Sequence, residues 1–179
     1  FVLTFLCLRF PFSFLPKDQG REYAINGALS KGKIRGVGLI LTAVFILVTL
    51  LVLPVDREYV VYCILLFAMM LSGYLDDASK NPWSDYKKGA IDLVLALLTM
   101  WNFVNYNPTK IGSFEYEIPV AVFFVLGVIL IWVSINVTNC SDGVDGLCAS
   151  LCCVTMTAFA LLFLQPLGKY AATLFIFVA

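Results

Sequence analysis

Histidine is absent from the 179-residue chain, and charge is scarce: 13% of residues are Asp, Glu, Lys or Arg, with twelve of each sign and zero formal net charge. A soluble domain carries about a quarter charged residues. A fold of this size with 61% hydrophobic residues lacks the polar groups to face water all round. The missing histidine excludes His-based triads and His metal ligands within this stretch. The balanced charge excludes an overall basic field of the kind that draws nucleic acid, so nucleic acid is not an expected partner. No C-x-x-C pair occurs among the six cysteines, which read as soft packing residues. These absences leave an integral membrane protein, with the lipid bilayer as its surroundings.

Long uncharged runs take the place of the missing charge. A helix needs about 20 apolar residues to cross the hydrocarbon core, within a range of about 17–25. Twenty uncharged residues separate Arg35 from Asp56, and 17 separate Glu58 from Asp76. Seventeen lie between Asp92 and Lys110, 24 between Glu117 and Asp142, and 23 between Asp145 and Lys169. Residues 1–15 read as most of another span, interrupted by Arg9, and 170–179 as the start of one more. Backbone groups in lipid must be satisfied within the segment, so runs this long are helices. The expected fold is all-α: a polytopic membrane helical bundle of about six to seven spans, with residues 1–179 as one transmembrane domain. A chain that starts at Phe and ends inside an apolar run reads as the N-terminal part of a longer polytopic protein.

Basic residues set the orientation. Lys17, Arg21, Lys31, Lys33 and Arg35 follow the first span, and Lys80, Lys87 and Lys88 follow the third. The opposite connections hold Arg57, Lys110 and Lys169. The positive-inside rule then predicts cytosolic loops at about 16–36, 76–92 and, by alternation, 138–147. Asn136-Val-Thr and Asn139-Cys-Ser match the glycosylation pattern formally, but their expected cytosolic placement argues against modification.

The informative residues are acids at membrane ends. Asp76 and Asp77 close the third span in Gly-Tyr-Leu-Asp-Asp. Adjacent carboxylates at a helix C-terminus oppose the helix dipole and repel one another, so they call for a cation, a lysine or a substrate. The plainer alternative is a pair of solvated charges marking the membrane exit. A second cluster reads Asn136-Val-Thr-Asn-Cys-Ser-Asp-Gly-Val-Asp-Gly-Leu; its Asp142 and Asp145 would share a helix face, and a polar turn capping the span is the alternative. Both clusters fall on the same predicted membrane face as Lys80 and Lys88. Carboxylates that hold a hard divalent cation, together with lysines that hold phosphate, are the components of phosphoryl transfer. The residues therefore point to a cytosol-facing, Mg²⁺-dependent membrane enzyme acting on a phosphate ester or diphosphate. A transporter or channel is the alternative from another class. It would place its ionisable groups near mid-bilayer, whereas these sit at span ends.

Gly73-Tyr-Leu-Asp-Asp-Ala-Ser-Lys80 resembles the G-[FY]-x-D-D-x-x-K signature of the polyprenyl-phosphate hexose-1-phosphate transferases. The 136–147 segment is similar to their N-x-x-N-x-x-D-G-[LV]-D-G-L motif. The best match is to the branch that moves phospho-MurNAc-pentapeptide from its UDP carrier to undecaprenyl phosphate, making lipid I and UMP for peptidoglycan synthesis. The resemblance implies Asp76, Asp77 and Asp142 as catalytic residues and candidate Mg²⁺ ligands. Asp76 would be the base for the lipid phosphate or, in a two-step scheme, the nucleophile. It implies Lys80 and Lys88 on the phosphate and uridine side, and Asn136, Asn139 and Asp145 lining the nucleotide cleft. It also implies a multi-pass enzyme of the bacterial inner membrane whose active site faces the cytosol; a homodimer is left open. The chain departs from the family in the loop before its second span, where Lys31-Gly-Lys-Ile-Arg-Gly-Val-Gly replaces K-x-G-T-P-T-M-G-G. A transferase of GlcNAc-1-phosphate remains the alternative within the family. The family's later G-D-x-G-S metal motif and histidine loop are expected beyond Ala179.

Overall fold

The apolar runs become helices, and the punctuation between them is local. The computed structural model describes residues 2–9, 13–18, 31–79, 83–109, 117–141 and 147–163. Among the described residues six helices follow one another: α1 Val2–Leu8, α2 Gly38–Val52, α3 Arg57–Ala78, α4 Asp85–Tyr106, α5 Val120–Ser141 and α6 Leu147–Phe163. There is no strand among the described residues, only an isolated antiparallel bridge between Lys17 and Ile34. Helices α3, α4 and α5 are long and apolar enough to cross a membrane. Residues 1–15, expected as most of a span, are helical only over Val2–Leu8 among the described residues, and the 170–179 run lies outside them.

Helix ends follow sequence chemistry. Pro54 follows α2, whose C-cap Leu53 is already extended, as expected of a residue preceding proline. Ser79 ends α3 by turning extended, its hydroxyl donating to the Asp76 carbonyl at 2.7 Å. Ser84 caps α4, its hydroxyl accepting from the Lys87 amide, and Asp85 lies in the first turn where the helix dipole favours an acid. Helix α4 thus begins seven residues before Asp92, the residue that charge spacing takes as the edge of this span. The short 79–84 connection forces α3 and α4 to run antiparallel.

Helix α4 is the centre of the bundle. In its span 28% of residues are buried, against 11% in α3 and 6% in α5. It packs between these two, with Ala96, Met100 and Val128 forming the core and Phe103 stacked on Phe123 at 5.9 Å. At the end away from the Asp-Asp pair, Asn102 donates to the Glu58 carbonyl at 3.2 Å and Asn107 to the Glu58 carboxylate at 2.6 Å. These bonds tie α4 to the start of α3. The outward faces stay apolar: Leu51, Trp101, Leu130 and Val154 are all exposed. In lipid such side chains need no cover.

Gly127 allows the close approach of α5 to α4, because a Cβ there would overlap the Met100 side chain. Gly127→Val should overpack this contact and cost about 1–3 kcal/mol. It should lower the unfolding midpoint in detergent, and Met100→Ala should restore part of the loss. At Gly89 a Cβ would meet only Trp132 at an ordinary 3.9 Å, so Gly89→Ala should shift the midpoint far less.

Candidate functional site

Asp76 lies in the last turn of α3 and Lys88 in the first turns of α4. Because the helices are antiparallel and only six residues separate them in sequence, the two side chains meet. Lys88 Nζ stands 3.3 Å from Asp76 Oδ2, and both side chains are about one-fifth exposed. The other carboxylate oxygen, Oδ1, accepts from the Trp83 backbone amide at 2.9 Å. Lys88 Nζ also donates to Asn139 Oδ1 at 2.9 Å, near the C-terminal end of α5. One ammonium thus joins three helices. A second link runs beside it, from the Trp132 indole to the Gly89 carbonyl at 2.8 Å.

Asp77 faces the segment before α2. Arg35 bridges Asp18 Oδ2 at 3.2 Å and Asp77 Oδ1 at 3.7 Å. Its own backbone amide donates to the Pro16 carbonyl, while the Asp18 amide donates to the Lys33 carbonyl, each at 2.8 Å. Residues 16–18 and 32–35 therefore form a small antiparallel strap. Gly32 and Gly36 take positive φ, 88° and 72°, as this turn into α2 requires. The Tyr74 ring lies against Gly36, and its hydroxyl donates to the Phe14 carbonyl at 3.3 Å. The glycine-rich basic loop is in this way fastened to the Asp-Asp helix end.

Of the residues singled out in the sequence, Asp76, Lys88 and Asn139 are brought into direct contact, and Asp77 adjoins them. Asn136 lies one turn before Asn139, but its amide donates to the Trp132 carbonyl of its own helix at 2.8 Å. Lys80, Asp142 and Asp145 lie outside the described residues. Sequence reasoning misses Arg35, Trp83 and Asp92 as members of this site. In the sequence Arg35 is only one of several loop charges. Asp92 reads there as a span boundary, yet it is 4% exposed inside α4, one turn beyond Lys88. Its i,i+4 spacing from Lys88 is the available signal.

Long apolar helices with exposed apolar faces, and charged groups kept near the helix ends, define a helical integral membrane protein. Residues 59–179 match the model of glycosyl transferase family 4. The chain is 34% identical over 185 aligned residues to the phospho-N-acetylmuramoyl-pentapeptide-transferases of Treponema pallidum subsp. pallidum and of Treponema pallidum strain Nichols. The alignment covers 99% of the chain and 51% of each relative, so the chain spans about half the length of these curated relatives. No solved structure matches it. The chain belongs to glycosyl transferase family 4.

Arg35→Gln should loosen the strap without unfolding the bundle. The Arg35–Asp18 pair is only partly exposed, so its loss should cost at least the roughly 0.2–1 kcal/mol of a surface ion pair, and hydrogen exchange at the Asp18 and Arg35 amides should quicken at least about two- to fivefold. Exchange in the core of α4 should be unchanged.

Proposed function

We propose that this chain forms the polyprenyl-phosphate and diphosphate end of a phosphoglycosyl transferase. The proposed enzyme passes phospho-MurNAc-pentapeptide from UDP to undecaprenyl phosphate, yielding lipid I and UMP. The observation that carries the reading is the convergence of Asp76, Lys88 and Asn139 from three helices. Family membership and the named relatives support it. The site faces the cytosol of a bacterial inner membrane in this reading, because the basic loops lie at that end of the bundle.

The reaction joins two anions. An oxygen of the polyprenyl phosphate forms a bond to the sugar-bearing phosphorus, and the bond from that phosphorus to the UMP oxygen breaks. If the acceptor enters as a monoanion, Asp76 accepts its proton. Lys88 places a positive charge against the phosphates, and Asn139 fixes the position of that ammonium. Lys80 adds a second charge, while Asn136, Asp142 and Asp145 line the nucleotide side. Mutual repulsion of the reactants is the main barrier, so fixed positive charge supplies much of the rate.

Asp76 and Asp77 suit Mg²⁺: it takes hard oxygen ligands and uses one or two carboxylates beside water and phosphate. Asp142 is the third candidate ligand. When bound, Mg²⁺ would offset diphosphate charge and stabilise the departing UMP.

The test uses full-length protein in detergent with undecaprenyl phosphate and either UDP-MurNAc-pentapeptide or UDP-GlcNAc. UMP release should occur with the former and stop on chelation of Mg²⁺. Release with UDP-GlcNAc alone would assign the chain to the other branch. Asp76→Asn and Lys88→Gln should each lower kcat about 100-fold or more, the scale of losing a preorganised charge. Unaltered transfer in Asp76→Asn, Asp77→Asn and Asp142→Asn alike would overturn the reading.

A further inference from the structure

Lys88 has three N–H donors, and Asp76 and Asn139 take two of them. The proposed function also needs Asp76 for a proton or a cation, and once that happens Asp76 no longer neutralises the lysine. A partly buried ammonium then requires another counter-charge, since an unpaired charge away from water is strongly disfavoured.

The next turn inward holds one. Asp92 lies four residues beyond Lys88, on the same face of α4, and is 4% exposed. Its Oδ2 has no hydrogen-bond partner among the described residues. Lys88 and Asp76 are the charged side chains whose fields reach it. A second polar group stands at the same level on α3. The Asp76–Lys88 and Glu58–Asn102 links set an antiparallel register between these helices. In that register Ser72, four residues before Asp76, falls at the level of Asp92 along the helices. Ser72 is 7% exposed, and its hydroxyl likewise has no partner among the described residues. Two buried side chains with unpartnered oxygens thus fall at about one helical turn below the ion pair along the helices.

We infer that Asp92, with Ser72 at its level on α3, is the alternative carboxylate partner of the Lys88 ammonium when Asp76 is engaged in the reaction, so that Lys88 keeps a counter-charge on α4 while a remaining N–H meets the phosphates. Lys88 then alternates between two carboxylates and never stands as an unpaired charge. Asp92 is a positioning residue: it acts through Lys88 and touches no reacting atom. This inference rests on the proposed transferase reaction.

Thermal unfolding of full-length protein, without metal or substrate, tests the arrangement apart from activity. Asp92→Asn alone should leave the midpoint unchanged or raise it, because it removes a buried carboxylate whose Oδ2 has no hydrogen-bond partner among the described residues while Lys88 is on Asp76. Asp76→Asn moves Lys88 to Asp92, so the Asp76→Asn/Asp92→Asn double variant should fall by more than the two single shifts together. Additive shifts, or a large fall from Asp92→Asn alone, would overturn the inference. Kinetically, Asp92→Asn should lower kcat about tenfold with KM for both substrates within about twofold. In a Lys88→Gln background it should have no further effect, and an undiminished effect there would contradict an action through Lys88. If wild-type protein shows no transfer at all, the functional reading fails, while the unfolding comparison still decides the alternation of Lys88.

Discussion

The Lys88 ammonium between α3, α4 and α5 is the interaction on which the charged end of this bundle depends. Asp76, Asp77 and Lys88 each oppose the dipole of their own helix. Asp76 and Asp77 end α3, where acids are unfavourable, and Lys88 lies near the start of α4, where a cation is unfavourable. Antiparallel packing reverses that account. Asp76 reaches the start of α4, where the Trp83 amide donates to it, and Lys88 reaches the ends of α3 and α5. The charges are thus at odds with their own helices and matched to their neighbours. A site of this kind requires the assembled bundle.

Burial within the bundle is shallow, and this concentrates the importance of the polar contacts. Most large apolar side chains face outward, so helix association in lipid relies on close packing and on a few hydrogen bonds. Gly127 against Met100 supplies the close packing between α4 and α5. Glu58 with Asn102 and Asn107 closes the end opposite the Asp-Asp pair, and the Asp76–Lys88–Asn139 link closes the other. Helix α4 is held at both ends by polar bonds and along its length by aromatic and aliphatic contacts. Rigidity of that helix fixes the lysine that the chemistry needs.

Much of this is legible in the sequence, for physical reasons that differ from residue to residue. Charge spacing locates the long helices because lipid tolerates so few charges. The Asp-Asp pair announces itself as electrostatically costly; the resemblance implies Lys88 only as a lysine on the phosphate and uridine side, and its pairing with Asp76 becomes visible in the fold. Asn139 falls in the right cluster, though its bond to Lys88 depends on how α5 is rotated against α4. Arg35 stays hidden because its partner Asp77 is distant in sequence and its loop looks uniformly basic. Asp92 stays hidden because a charge next to an apolar run reads as a boundary. The Ser84 cap, which starts α4 earlier, puts Asp92 inside. Lys80, Asp142 and Asp145 remain expectations of the motif.

The central claim is that Lys88, held by Asp76 and Asn139, meets the phosphates of a nucleotide sugar. Calorimetric titration of UDP-MurNAc-pentapeptide into full-length protein in lipid nanodiscs, wild type against Lys88→Gln, tests it most directly. A hydrogen bond to a charged group contributes about 1.5–3 kcal/mol, so the variant should bind at least about tenfold more weakly with its helical content unchanged. Equal affinity in the two proteins would contradict the account.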